Sequence, residues 1–209
     1  MNGIALLTVP FFVRKPKPIK RRIVFNRLFN YKWIVQFCAV MTLIVIQPNA
    51  HAFSLAGTVF DQVGQEKNID PFLLYAVALC ESGFNPASTR HTSPYAWTLR
   101  TPDKAIYAKT QADAERHLER QLKKSRAIDI GLMQINLRWH GHRVAKPTDL
   151  LDPLTNLRVG AAILNENFAR HPNDLIVAIG QYHSFIPKRS RSYGMTVWRV
   201  YQSLKTLNH

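Results

Sequence analysis

The sequence predicts one mostly α domain spanning residues 53–209, with a small β-hairpin inside it and a targeting segment in front. Three patterns carry that expectation. Phe72 to Cys80 is an unbroken apolar run closed by the carboxylate of Glu81; Leu154, Leu157, Ala161, Leu164 and Phe168 recur at helical period; Tyr95, Trp97 and Leu99 alternate with Ala96, Thr98 and Arg100. The first two read as helices and the third as a strand.

Residues 1–32 hold eight Lys or Arg and no acidic residue, Trp33 to Ile46 is apolar, and Ala50-His51-Ala52 supplies small residues for a cleavage site. Basic region, hydrophobic region and small-residue site, in that order, make a secretory signal over residues 1–52, with cleavage expected after Ala52. The apolar stretch is short for a membrane-spanning helix. The long basic region leaves two other readings open: an uncleaved inner-membrane anchor, or a start of translation further downstream.

After the signal, Val59 to Glu66 reads as an amphipathic helix. Asp70 and Pro71 are an N-cap and first-turn pair for a helix running to Glu81. A helix apolar on every face belongs in the core, and Ser82, Gly83, Phe84, Asn85 and Pro86 break it. The hairpin turns at Thr101-Pro102-Asp103-Lys104 and returns through Ala105 to Ala108. Thr110 caps a charged helix from Gln111 to about Lys124, whose mixed charge reads as a solvated face. Asp152-Pro153 opens the next helix, and Asp174 caps one running through Ile179 to Tyr182. The last helix is expected to start near Ser192, with Tyr193, Val197, Val200, Leu204 and Leu207 on one face.

The chain carries 28 Lys and Arg against 13 Asp and Glu, a formal charge of +15, and removing the signal leaves about +7. A moderately basic exported protein suits an anionic polymer such as a cell wall, or an anionic membrane surface. Nucleic acid is disfavoured, because the densest basic cluster lies in the targeting segment. Of the two cysteines, Cys38 lies in the signal and Cys80 in the apolar helix. The mature chain therefore has no internal disulfide, and Cys80 reads as a small buried hydrophobe. His140-x-His142 lacks further ligands at zinc-motif spacing. No metal and no cofactor are expected.

Glu81 emerges from a buried helix end, and desolvation there raises a carboxyl pKa. A glutamic acid that keeps its proton near neutrality can act as a general acid. The same stretch by itself equally fits a helix-terminal Glu facing solvent. The second informative stretch is Asp129-Ile130-Gly131-Leu132-Met133-Gln134-Ile135-Asn136. Gly131 permits close backbone approach, Gln134 and Asn136 offer amide donors and acceptors suited to hydroxyl and acetamido groups, and Asp129 is the candidate second carboxylate. Each also has a plainer reading: Gly131 as a turn, Met133 as core filler, Gln134 as a satisfied polar group.

ESGFNP from Glu81, GLMQIN from Gly131, DPLTNLRVGAAIL from Asp152 and AIGQYHS from Ala178 occur in the order seen in soluble lytic transglycosylases of the lysozyme superfamily. The resemblance runs from about Val59 to Tyr201. It implies a lysozyme-like α+β fold, with residues 94–124 as an insertion carrying the hairpin. The DIGLMQIN variant and lone compact domain resemble the specialised transglycosylases that accompany type IV secretion, conjugation and type III secretion machines. The SPYAWTL start of the 94–124 segment resembles versions carried by integrating conjugative elements.

Carried over by that resemblance, Glu81 is the catalytic acid and base. Ser82 helps position the reacting sugar, Gly131 to Gln134 (Met133 among them) form the groove floor with Gln134 contacting substrate, and Tyr182 hydrogen-bonds the catalytic glutamate; Asn136, from its amide, is expected among the substrate-binding residues. His183 stands where the family usually has Asn, which puts its substrate contact in question. The implied reaction needs one carboxyl rather than the usual glycosidase pair and acts on peptidoglycan glycan strands in the periplasm, beside a secretion or conjugation machine. The competing readings are a goose-type lysozyme that enlists Asp129 to hold a water, and a wall-binding assembly factor without activity. Tyr95 and Trp97 can either stack on sugar rings or pack the hairpin.

Overall fold

The computed structural model describes residues 53–85 and 91–208, so the signal-segment expectation for residues 1–52 lies outside the described residues. Helix α1, Val59–Lys67, is capped by Thr58, whose side chain accepts from the Asp61 amide. Helix α2, Pro71–Ser82, starts where Asp70 accepts from the Phe72 N–H at 2.8 Å. Its apolar sequence buries Phe72, Leu73, Leu74, Ala76, Val77 and Ala78. Asp70 also accepts from the Tyr201 hydroxyl at 2.8 Å and from Lys205 Nζ at 3.2 Å. Burial pushes its pKa up, but these hydrogen bonds outweigh burial and hold it below the ordinary carboxylate range.

Beyond α2, strand β1, Gly83–Phe84, pairs antiparallel with β2, Ser93–Pro94. Strands β3, Thr98–Arg100, and β4, Ala105–Tyr107, form the expected hairpin. Tyr95 and Trp97 pack it: Tyr95 donates to the Ala108 carbonyl at 2.6 Å and its ring lies against Phe84, Trp97 and Tyr107. Helix α3, Gln111–Leu122, is capped by Thr110 and buries Ala114 and Leu118, so its charged residues cover one side only. Next come β5, Asp129–Ile130, β6, Ile135–Asn136, and the short helix α4, Leu137–His140.

The hairpin is not a separate appendage. It forms half of a four-stranded antiparallel sheet in the order β4-β3-β5-β6, with Leu99 opposite Ile130 and Arg100 opposite Asp129. Strands of two residues are too short to show alternation in a sequence, which is why the 129–136 stretch reads there only as a groove floor.

Helix α5, Pro153–Arg170, carries the expected stripe, with Leu157, Ala161 and Leu164 buried and Leu154 and Phe168 packed beside them. Helix α6, Leu175–Gly180, is capped by Asp174 and stops two residues before Tyr182. Helix α7, Pro187–Leu207, begins five residues before Ser192. Its first turn is the polar run Pro187-Lys188-Arg189-Ser190-Arg191, which has no apolar period, while Pro187 supplies the fixed φ of a first helical position. Leu207 ends the apolar face exposed, whereas Val197 and Leu204 are buried.

Helix α2 packs on α1 and α7, α1 on α5, and α6 between α5 and α7. At the α6–α7 crossing the backbones touch: a Cβ on Gly180 would strike the Ser190 carbonyl, and one on Gly194 the Ile176 carbonyl. That contact fixes Tyr182 and Tyr193 relative to each other.

Candidate active site

A cleft of about 960 Å³ lies between the end of α2, the four-stranded sheet, α4, α5 and the α6–α7 loop. Glu81 stands at its base, partly exposed, at the C-terminal end of α2. Its Oε1 accepts from the Tyr193 hydroxyl at 2.5 Å. Burial pushes its pKa up to about 7, with the nearby Asp129 charge adding to the rise; the Tyr193 hydrogen bond and Arg100 pull the other way. The negative end of the α2 dipole also disfavours a charge there. A carboxyl half-protonated near neutrality can give a proton and take one back.

Asp129 faces the same cleft. Burial raises its pKa above the usual carboxylate value, against the lowering effects of an Asn136 Nδ2–H donated to Oδ1 at 2.7 Å, and of Arg100 and His183. Cys80 also reaches the cleft, but burial and the neighbouring Glu81 push its thiol up to about 11. It stays a thiol, not a nucleophilic thiolate.

Gln134 sits in the left-handed region, φ 45°, and is nearly buried. Its Nε2 donates to the carbonyls of Gly131 at 2.9 Å and Thr98 at 3.3 Å, while the buried Oε1 has no hydrogen-bond partner. Asn156 on α5 holds this loop from behind. It donates to the carbonyls of Ile130 and Leu150 at 2.7 and 2.8 Å and accepts from the Met133 amide at 2.8 Å. Gly131, at φ 79°, leaves room for that clip, since a Cβ there would collide with Asn156.

The structure brings Glu81, Gln134, Asn136, Tyr182 and His183 to the cleft wall. It places Ser82, Gly131 and Met133 behind it. Ser82 is 1% exposed and donates to the Leu132 carbonyl at 2.7 Å, so its hydroxyl ties α2 to the loop rather than facing a sugar. Met133 is fully buried under α5. Tyr182 does not hydrogen-bond Glu81: its hydroxyl donates to the Met133 carbonyl at 2.8 Å. Tyr193, in the second turn of α7, holds the Glu81 carboxyl instead. His183 stacks its ring on Tyr193, with centroids 4.8 Å apart and planes 5° from parallel.

Four cleft features escape sequence reasoning: Tyr193, which reads as one apolar position of a helix stripe; Arg100; the Arg143–Glu166 pair; and Trp139. Arg143 grips Glu166 through two hydrogen bonds of 2.7 and 2.9 Å, and its Nε donates to His140 Nδ1 at 3.3 Å. Trp139 and Phe185 line the cleft 69% and 70% exposed.

The transglycosylase SLT domain family matches residues 58–193. Protein virB1 of Agrobacterium fabrum is 27% identical over 133 residues, covering 63% of this chain and 51% of that protein. The chain thus spans about half the length of this curated relative. No solved structure matches.

Proposed function

Because this chain belongs to the transglycosylase SLT domain family, we propose that it is a peptidoglycan lytic transglycosylase. It cleaves the β-1,4 bond between N-acetylmuramic acid and N-acetylglucosamine and leaves 1,6-anhydromuramoyl ends. The observation that carries this reading is Glu81: a single carboxyl with its pKa near 7 at the base of a cleft, held by a phenol rather than by a cation.

The chemistry needs only that group. Protonated Glu81 gives its proton to the bridging oxygen as the bond to the muramoyl C1 breaks, the bonding pair leaving with that oxygen. The oxocarbenium-like state is assisted by the muramoyl N-acetyl oxygen. The carboxylate then takes the proton of the sugar's own C6 hydroxyl, O6 bonds to C1, and Glu81 ends protonated again. No water enters. A pKa near 7 suits both transfers, since near neutrality the carboxyl is available in either protonation state while remaining a usable acid and base.

Other cleft groups support a glycan. The unpartnered Oε1 of Gln134 suits an acetamido N–H, and a buried acceptor left unpaired is costly until something donates to it. The exposed faces of Trp139 and Phe185 suit the C–H faces of sugar rings. The hydrolytic alternative rests on Asp129, which faces the same cleft and would hold a water. Mass spectrometry of muropeptides released by the purified protein separates the two, because anhydro ends are one water lighter. Anhydro products from wild type and none from Glu81→Gln support the proposal; reducing ends make it a lysozyme-type hydrolase, and no products leave a wall-binding factor.

The motif variant shared with transglycosylases of secretion and conjugation machines supports a role in opening the wall locally for such an apparatus. Among the described residues no helix is long and apolar enough to cross a membrane. Placement in the periplasm rests on the signal segment.

A further inference from the structure

The strands of the hairpin bring a charge to the acid. In β3, Leu99 is fully buried and lies opposite Ile130, also fully buried; the next pair in register is Arg100 opposite Asp129. Directly opposed residues of an antiparallel pair share a face of the sheet, and that face alternates along the strand. With Leu99 and Ile130 committed to the core, Arg100 and Asp129 must both turn to the other side, and both line the cleft. A slip of one residue would bury the guanidinium and expose Leu99, so the core itself enforces this register.

Arg100 differs from the other arginines of the cleft. Arg143 and Arg170 are engaged with Glu166, at 2.7 and 3.8 Å. Arg100 is in no ion pair among the described residues, yet both Asp129 and Glu81 feel its charge. The remaining groups around the two carboxyls are not fixed cations. From α2 comes the Cys80 thiol, from β6 the Asn136 amide, from the α6–α7 loop the Tyr182 phenol and the His183 imidazole, and from α7 the Tyr193 phenol. Only His183 among these can become positive, and only by protonation. Two carboxyls facing one cleft repel each other once both are charged.

We propose that Arg100 is a positioning residue for the cleavage: its guanidinium is the fixed counter-charge of the cleft, lying across the strand pair from Asp129 so that Asp129 carries the charge and Glu81 the proton. The hairpin thereby contributes electrostatics to the acid as well as a wall to the cleft. The cleavage part of this inference rests on the function proposed above; the charge arrangement does not. Exclusion of water by a bound glycan strengthens the effect, so it is larger in the enzyme–substrate complex than in the free protein.

Two measurements on the purified protein test it. The first follows the carboxyl carbons of Glu81 and Asp129 by NMR as pH is varied, in wild type, Arg100→Gln and Arg100→Lys. Because Arg100 is exposed, neither substitution disturbs the core. The expected result is that both carboxyls titrate at higher pH in Arg100→Gln, Asp129 moving more, and that Arg100→Lys returns them toward wild type. The second records the pH dependence of anhydro-muropeptide release. The alkaline limb should move to higher pH in Arg100→Gln, more in kcat than in kcat/KM. Unmoved carboxyl titrations, or a loss of rate equal at every pH, would overturn the proposal. Shifted titrations in a protein that releases no anhydro products would retain the counter-charge and overturn the cleavage reading instead.

Discussion

Glu81 and the phenol that holds it give this protein one of its pH dependences. Burial pushes the Glu81 carboxyl up to about 7 in the fold, from the ordinary 4.5. Below about 4.5 both states are protonated and the raised pKa has no effect on stability. Between that value and about 7 the unfolded chain gains a charge that the folded chain resists, so stability is lost as pH rises through this window. Glu81→Gln removes the effect: it should match wild type near pH 4 and exceed it by on the order of 1–3 kcal/mol near pH 8, read from urea melts. On the proposed function, the same substitution should abolish cleavage. Tyr193→Phe acts differently. The hydrogen bond favours the charged carboxyl, so its loss raises the Glu81 pKa further and leaves the side chain less well placed. A turnover loss of roughly ten- to a hundred-fold is expected, from ~1–3 kcal/mol of lost positioning. Tyr182→Phe removes only the bond to the Met133 carbonyl and should cost stability of about 1 kcal/mol with a smaller change in rate. Equal rate losses from the two phenylalanine variants would refute this division of roles.

At the scale of elements, α2 matters most because it carries Glu81, the proposed acid, and Asp70 anchors its far end. The carboxylate caps the helix and joins it to Tyr201 and Lys205 on α7. Asp70→Ala should destabilise by about 0.5–2 kcal/mol from the cap alone, whereas Asp70→Asn keeps the cap and loses the charge together with the oxygen that accepts from Tyr201 and Lys205. Since the folded pKa of Asp70 lies below its ordinary value, its contribution is present above about pH 4 and disappears as pH falls through the folded pKa. The thermal melts of wild type and Asp70→Asn should therefore converge in acid, and a gap that persists there would contradict the assignment. The sheet works in the same service: Thr98 accepts from both the Gly131 amide and the Gln134 side chain, so the hairpin steadies the loop that faces the acid.

Across the whole molecule, the proposed cleavage site adjoins Phe53, whose amide donates to the Leu207 carbonyl and whose ring packs on Phe72 and Tyr75. Cleavage after Ala52 would make it the mature N-terminus. N-terminal sequencing of periplasmic protein checks this, and full-length protein retained on salt-washed membranes would make the segment an anchor. What the sequence determined by itself is local. Asp70, Thr110, Asp152 and Asp174 each cap a helix as their positions suggest, because a cap contacts an amide only two or three residues away. The apolar helix and its terminal carboxylate were equally legible. The tertiary structure alone decided which residues surround that carboxylate. Tyr193 reaches Glu81 across 112 positions, Asn156 clips a loop 23 to 26 residues upstream, and Arg100 meets Asp129 only through strand pairing. Ser82, Gly131 and Met133 lie beside the right residues in sequence yet behind them in space. Adjacency along the chain fixes which residues travel together, but which face they turn to the cleft is set by how distant helices and strands fill one core.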